Sequence, residues 1–88
     1  MKKNSPGRST VQKTLVTLKA NLQGQSLTEL NRLLLMIERS VGSVGFSVVS
    51  GNIMIWQIYV DNFDKDFWNT ISKGNDFELY TQQLDRYW

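Results

Sequence analysis

The sequence predicts an α+β fold in the order ααββαα, on three observations. Two capping-box signatures, each followed by apolar residues at helical spacing, mark helices in the first half. An uncharged stretch, residues 40–60, is broken by Gly51-Asn52 and reads as a β-hairpin. Aromatic residues at helical spacing behind Asp and Asn caps mark two short helices at the end.

Residues 1–8, Met-Lys-Lys-Asn-Ser-Pro-Gly-Arg, read as a disordered basic arm with nothing to bury. Residues 9–88 are expected to form one small α+β domain, because 88 residues leave no room for a second. The first helix is placed from Ser9, with Ser9-Thr10-Val11-Gln12 as its capping box. Val11, Leu15, Leu18 and Leu22 follow as one apolar stripe, and Gly24 is the stop. Thr14, Val16 and Thr17 weaken this helix, so tertiary packing would have to hold it.

The second helix has the stronger signal. Ser26-Leu27-Thr28-Glu29 is a full capping box, and Leu27, Leu30, Leu34, Ile37 and Val41 recur three and four apart. Leu33, Leu35 and Met36 widen the stripe, which predicts burial on more than one side, either as the central helix or as half of a homodimer seam. Gly42 ends it.

The uncharged stretch is first tested as a membrane span. Its Ser, Gly, Asn and Gln content, with Gly51-Asn52 in the middle, argues against that. A hairpin with a type II′ turn fits, with strands at about 44–50 and 53–60. Its register sets Ser50 opposite Ile53, Val48 opposite Ile55 and Phe46 opposite Gln57. One face then carries Phe46, Val48, Ile53, Ile55 and Tyr59, and the other Val49, Met54, Trp56, Ile58 and Val60. Both faces need cover. Asp61 or Asn62 caps a third helix with Phe63, Phe67, Trp68 and Ile71 on its apolar side, ending at Lys73-Gly74. Asn75-Asp76-Phe77-Glu78 opens a fourth, with Phe77, Tyr80, Leu84 and Tyr87 or Trp88 as its stripe.

The composition restricts the chemistry. With no His and no Cys there is no thiolate nucleophile, no Ser-His dyad and no ordinary zinc, copper or haem site. Asp61, Asp64 and Asp66 lack the central Gly and ligand spacing of a calcium loop and read as helix N-terminal carboxylates. Gly42-Ser43-Val44-Gly45 follows a helix and precedes a strand, the reverse of a phosphate-cradling loop. Ser72-Lys73 are adjacent on a helix and do not face each other. A non-enzymatic protein without cofactor or metal is expected. The basic start has no apolar run behind it, so it is not read as a signal peptide, and a cytoplasmic location without membrane contact is expected.

Charge is unevenly distributed. Residues 1–28 hold Lys2, Lys3, Arg8, Lys13 and Lys19 and no acid, a balance of +5. Residues 29–88 hold five basic residues and all eight acids, a balance of −3. The leading expectation is a protein-binding module, a small regulator or inhibitor of a larger assembly, whose contacts come from Trp56, Trp68, Tyr80, Arg86, Tyr87 and Trp88. The alternative is nucleic-acid binding through Lys2, Lys3, Arg8, Lys13 and Lys19. In the helical reading Lys13 and Lys19 diverge round the first helix. A helix-turn-helix is disfavoured because the second helix would show the groove mainly Leu, Met and Ile. The surplus of apolar surface predicts homodimerisation through the second helix or the hairpin edge.

Overall fold

A computed structural model describes the backbone of residues 10–87 and the side chains of residues 13–84. The order is β1 (Thr10–Asn21), α1 (Leu27–Val41), β2 (Phe46–Ser50), β3 (Ile53–Val60), α2 (Lys65–Asn75) and β4 (Glu78–Tyr87). The strands form one antiparallel sheet in the order β2-β3-β1-β4. Two β-α-β units are therefore interleaved: β3 lies between β1 and β2, and β1 lies between β3 and β4. This is the split β-α-β topology of ferredoxin-like domains. The expected ααββαα order is corrected to βαββαβ, with two helices and four strands among the described residues.

The first expected helix is β1. Leu15, Leu18 and Leu22 fit a helical stripe, but Thr10, Val11, Thr14, Val16 and Thr17 crowd the same segment with β-branched residues that favour a pleated backbone. In the sheet Thr14, Val16, Leu18 and Ala20 point to the helices and are buried, while Lys13, Leu15, Thr17 and Lys19 point the other way. The fourth expected helix is β4. Asp76, in the left-handed region at φ 58°, closes α2 instead of opening a new helix, and its N–H donates to the Ser72 carbonyl. The chain then runs antiparallel to β1 from Glu78 opposite Lys19 to Tyr87 opposite Thr10.

The expected second helix is α1. Ser26 caps it, its hydroxyl accepting from the Glu29 N–H, and Gly42 ends it at φ 73°. Leu30, Leu34 and Ile37 are buried, but Leu35 and Met36 are exposed, so α1 covers the sheet with one side only. The hairpin matches its expected register: Ser50 faces Ile53, Val48 faces Ile55 and Phe46 faces Gln57. Of the two turn residues only Gly51 carries a positive φ, 61°, at the first turn position, where a II′ turn requires it. The third expected helix is α2, beginning two to three residues later than expected. Its cap is Asp64, which accepts from the N–H groups of Asp66 (3.1 Å) and Phe67 (3.2 Å).

One core lies between the sheet and the two helices. Val16, Leu18, Met54, Trp56 and Ile58 rise from the strands to meet Leu30, Leu34 and Ile37 of α1 and Trp68 of α2. The expected arm, residues 1–8, lies outside the described residues. No helix among the described residues is long and apolar enough to cross a membrane.

Candidate functional site

Both helices lie on one side of the sheet, and nothing among the described residues covers the opposite side. Because side chains alternate along a strand, the ladder registers fix what this open face presents. The central row runs Phe46, Gln57, Thr17, Tyr80 across β2, β3, β1 and β4. A neighbouring row runs Val48, Ile55, Lys19, Glu78. On its other side Tyr59, Leu15 and Gln82 stand abreast. Phe46, Val48, Ile55, Tyr59 and Tyr80 are exposed, and Leu15 is half-buried. Three strand spacings and two same-face steps give a surface of roughly 14 Å by 14 Å.

The polar groups of this face are largely matched to one another. Gln57 Nε2 donates to Thr17 Oγ1 at 3.2 Å in the middle of the central row. Lys13 Nζ meets Asp61 Oδ1 at 3.1 Å, and Lys19 stands opposite Glu78 in the β1–β4 ladder. Tyr80 Oη donates to Glu78 Oε1. The Glu78 carboxylate accepts that bond and repels a phenolate, so the Tyr80 pKa is raised above its ordinary value. The face is thus apolar and aromatic at its centre and charge-balanced at its margin.

A second concave feature lies where α1 meets the free edge of β2. Asn31, Leu34, Leu35, Glu38, Gly45, Phe46, Ser47 and Trp56 line a notch of about 380 Å³. Its floor is fixed by Trp56 Nε1, which donates to Glu38 Oε2 at 3.2 Å. Gly45 makes this possible: a Cβ there would stand 2.7 Å from Trp56 Cε2 and 2.8 Å from the Gln57 carbonyl oxygen.

The residues expected to bind a protein partner separate into three groups. Trp56 and Trp68 are core residues, each 1% exposed, and offer no surface to a partner in the folded chain. They fill the space between helices and sheet because each shares its side with buried neighbours: Met54 and Ile58 for Trp56, and Ser72 for Trp68. Tyr80 is exposed on the open face. Arg86 and Tyr87 lie opposite Val11 and Thr10 in the β1–β4 ladder, with side chains outside the described part, and Trp88 lies outside the described residues altogether. Of the expected nucleic-acid contacts, Lys2, Lys3 and Arg8 lie outside the described residues. Lys13 and Lys19 do not diverge as they would on a helix: six apart on a strand, they share the open face.

Leu15, Phe46, Val48, Ile55 and Tyr59 were missing from the expected contacts. The hairpin register already grouped four of them on one face, and the strand parity of β1 adds Leu15. Among the described residues no group of three or more Asp or Glu side chains gathers as a metal site would require. No family model, curated protein or solved structure matches the chain.

Proposed function

We propose that this chain is a non-enzymatic protein-binding module whose docking surface is the open face of the sheet. The observation that carries this reading is the exposed cluster of Phe46, Val48, Ile55, Tyr59 and Tyr80 around half-buried Leu15, which no described element covers. Interface centres are depleted in charge and rich in aromatic side chains, with polar groups at the rim. The open face has that composition, with Lys13–Asp61 and Lys19–Glu78 at its margin. A partner of matching chemistry presents an apolar surface with few charges at its centre. The test is capture from native extract with and without nuclease, comparing the wild type with a Leu15→Lys/Tyr59→Glu double variant. Retention of a nuclease-insensitive partner by the wild type alone is expected. Equal retention by the folded double variant overturns the reading.

One observation favours nucleic acid as a second reading. Lys13 and Lys19 share the open face with three exposed aromatic rings, and exposed rings on a sheet beside cations can stack bases. The carboxylates beside both lysines count against it. This reading predicts affinity for single-stranded nucleic acid that falls steeply with log salt and weakens when residues 1–8 are removed. No binding at low salt ends it.

A further inference from the structure

We propose that β2 pairs with β2 of a second copy of this chain, antiparallel about a two-fold axis through Val48, joining two four-stranded sheets into one of eight strands. β2 is the edge strand next to β3, and all five of its residues are exposed. The two-residue turn makes Ser50–Ile53 a hydrogen-bonded pair, so Val48 and Phe46 also bond to β3. The N–H and C=O groups of Ser47 and Val49 therefore point away from the sheet, which is a template for another strand.

Three observations make the second strand a copy of the first. The sequence Phe46-Ser47-Val48-Val49-Ser50 is self-complementary in size about Val48. In that register Phe46 meets the partner's Ser50 on the open face, and Ser47 meets the partner's Val49 on the helix face. Phe46 and Val49 are each opposed by a serine, Val48 meets its own copy on the axis, and the outward amides of Ser47 and Val49 fall opposite those of the partner's Val49 and Ser47. The partner's Val49 also arrives at the mouth of the notch beside Leu35 and Gly45.

The second observation is charge. A two-fold axis sets residues close to it beside their own copies, so a charge at the seam would meet its like. Residues 40–60 carry none, and this edge has no Lys and no Pro to deter pairing. The third is area. Val44, Phe46, Val48, Val49 and Leu35 are 48–85% exposed at this edge and offer apolar surface toward the ~800 Å² that each partner buries in a standard interface. Backbone pairing and α1–α1 approach add to it.

Sedimentation equilibrium of the full chain, with Val48→Lys and Val48→Asp variants, tests the proposal. Val48 is 57% exposed in the single chain, so either charge leaves the fold intact, which circular dichroism checks. The wild type is expected at twice the 10.2 kDa chain mass. Each variant alone should dissociate about 100-fold more readily, since like charges meet on the axis. An equimolar mixture of the two should recover the dimer. Amide exchange at Ser47 and Val49 should slow as wild-type concentration rises. A wild type that stays monomeric at its highest attainable concentration overturns the proposal. So does a dimer that Val48→Lys leaves intact, or one that Leu15→Lys dissociates equally, which would place the seam on the open face.

Discussion

Trp56 and Trp68 meet inside the core with ring centroids 6.1 Å apart and planes tilted by 36°, tying the central sheet to α2. Phe67 sets its ring edge-on to Trp68 at 5.3 Å, and the Trp56 indole N–H reaches Glu38 on α1. One pair of rings thus joins both helices to β3. Trp68→Ala is expected to cost about 3–5 kcal/mol through lost burial and the cavity left behind. That is a large part of the stability of a small domain. Glu38→Ala, which strands a buried indole donor, should cost about 1–2 kcal/mol. Urea denaturation followed by tryptophan fluorescence reads both.

Two glycines should respond oppositely to the same substitution. Gly45→Ala drives a Cβ into the Trp56 ring and the β3 backbone, and the expected cost is about 1–3 kcal/mol. Gly74→Ala, inside α2 with nothing within 4 Å of the new carbon, should stabilise by about 0.5–1 kcal/mol. Thermal melting of the two variants beside the wild type checks the sign of each.

Asp64 accepts from two N–H groups at the start of α2. Asp64→Ala should cost about 1 kcal/mol, and Asp64→Asn much less, because an amide oxygen can still cap. Asp61→Ala should leave α2 unchanged, since Asp61 precedes the cap and pairs with Lys13. Denaturant midpoints of the three variants distinguish the cap from its neighbour.

Tyr80 gives a pH dependence of defined sign. Its pKa is raised in the fold, first by the hydrogen bond to Glu78 and then by the charge of that carboxylate. The contribution to stability is therefore complete below the unfolded value of about 10 and is lost as pH rises through the higher folded value. Phenolate absorbance should show Tyr80 titrating late in the wild type, and Glu78→Gln should bring its titration down.

Local sequence carries the hairpin and α1 because their determinants are local. Gly51-Asn52 fixes the β2–β3 register, and the Ser26 cap with Leu30, Leu34 and Ile37 fixes one side of α1. β1 and β4 are different. Leu15 and Leu18 satisfy a helical period as well as a strand, and Thr10 finds its ladder partner in Tyr87 near the other end of the chain. No local pattern states that pairing. The same limit governs the candidate site. Trp56 and Trp68 look like anchors by residue type, whereas the open face emerges only when β1 is known to place Leu15 and Lys19 beside β3. The apolar residues on both hairpin faces suggest that both are covered, but among the described residues only the face bearing Met54, Trp56 and Ile58 is.

The most direct test of the open face as a protein-docking surface is site-specific photocrosslinking in the native cell. A photoreactive phenylalanine analogue replaces Tyr59 on the open face or Met36 on the outer side of α1, both exposed. A discrete adduct to a different protein that forms from position 59, survives nuclease and disappears with Leu15→Lys is expected, with no adduct to a different protein from position 36. Equal adducts to a different protein from both positions, or an adduct from position 59 that nuclease removes, would contradict it.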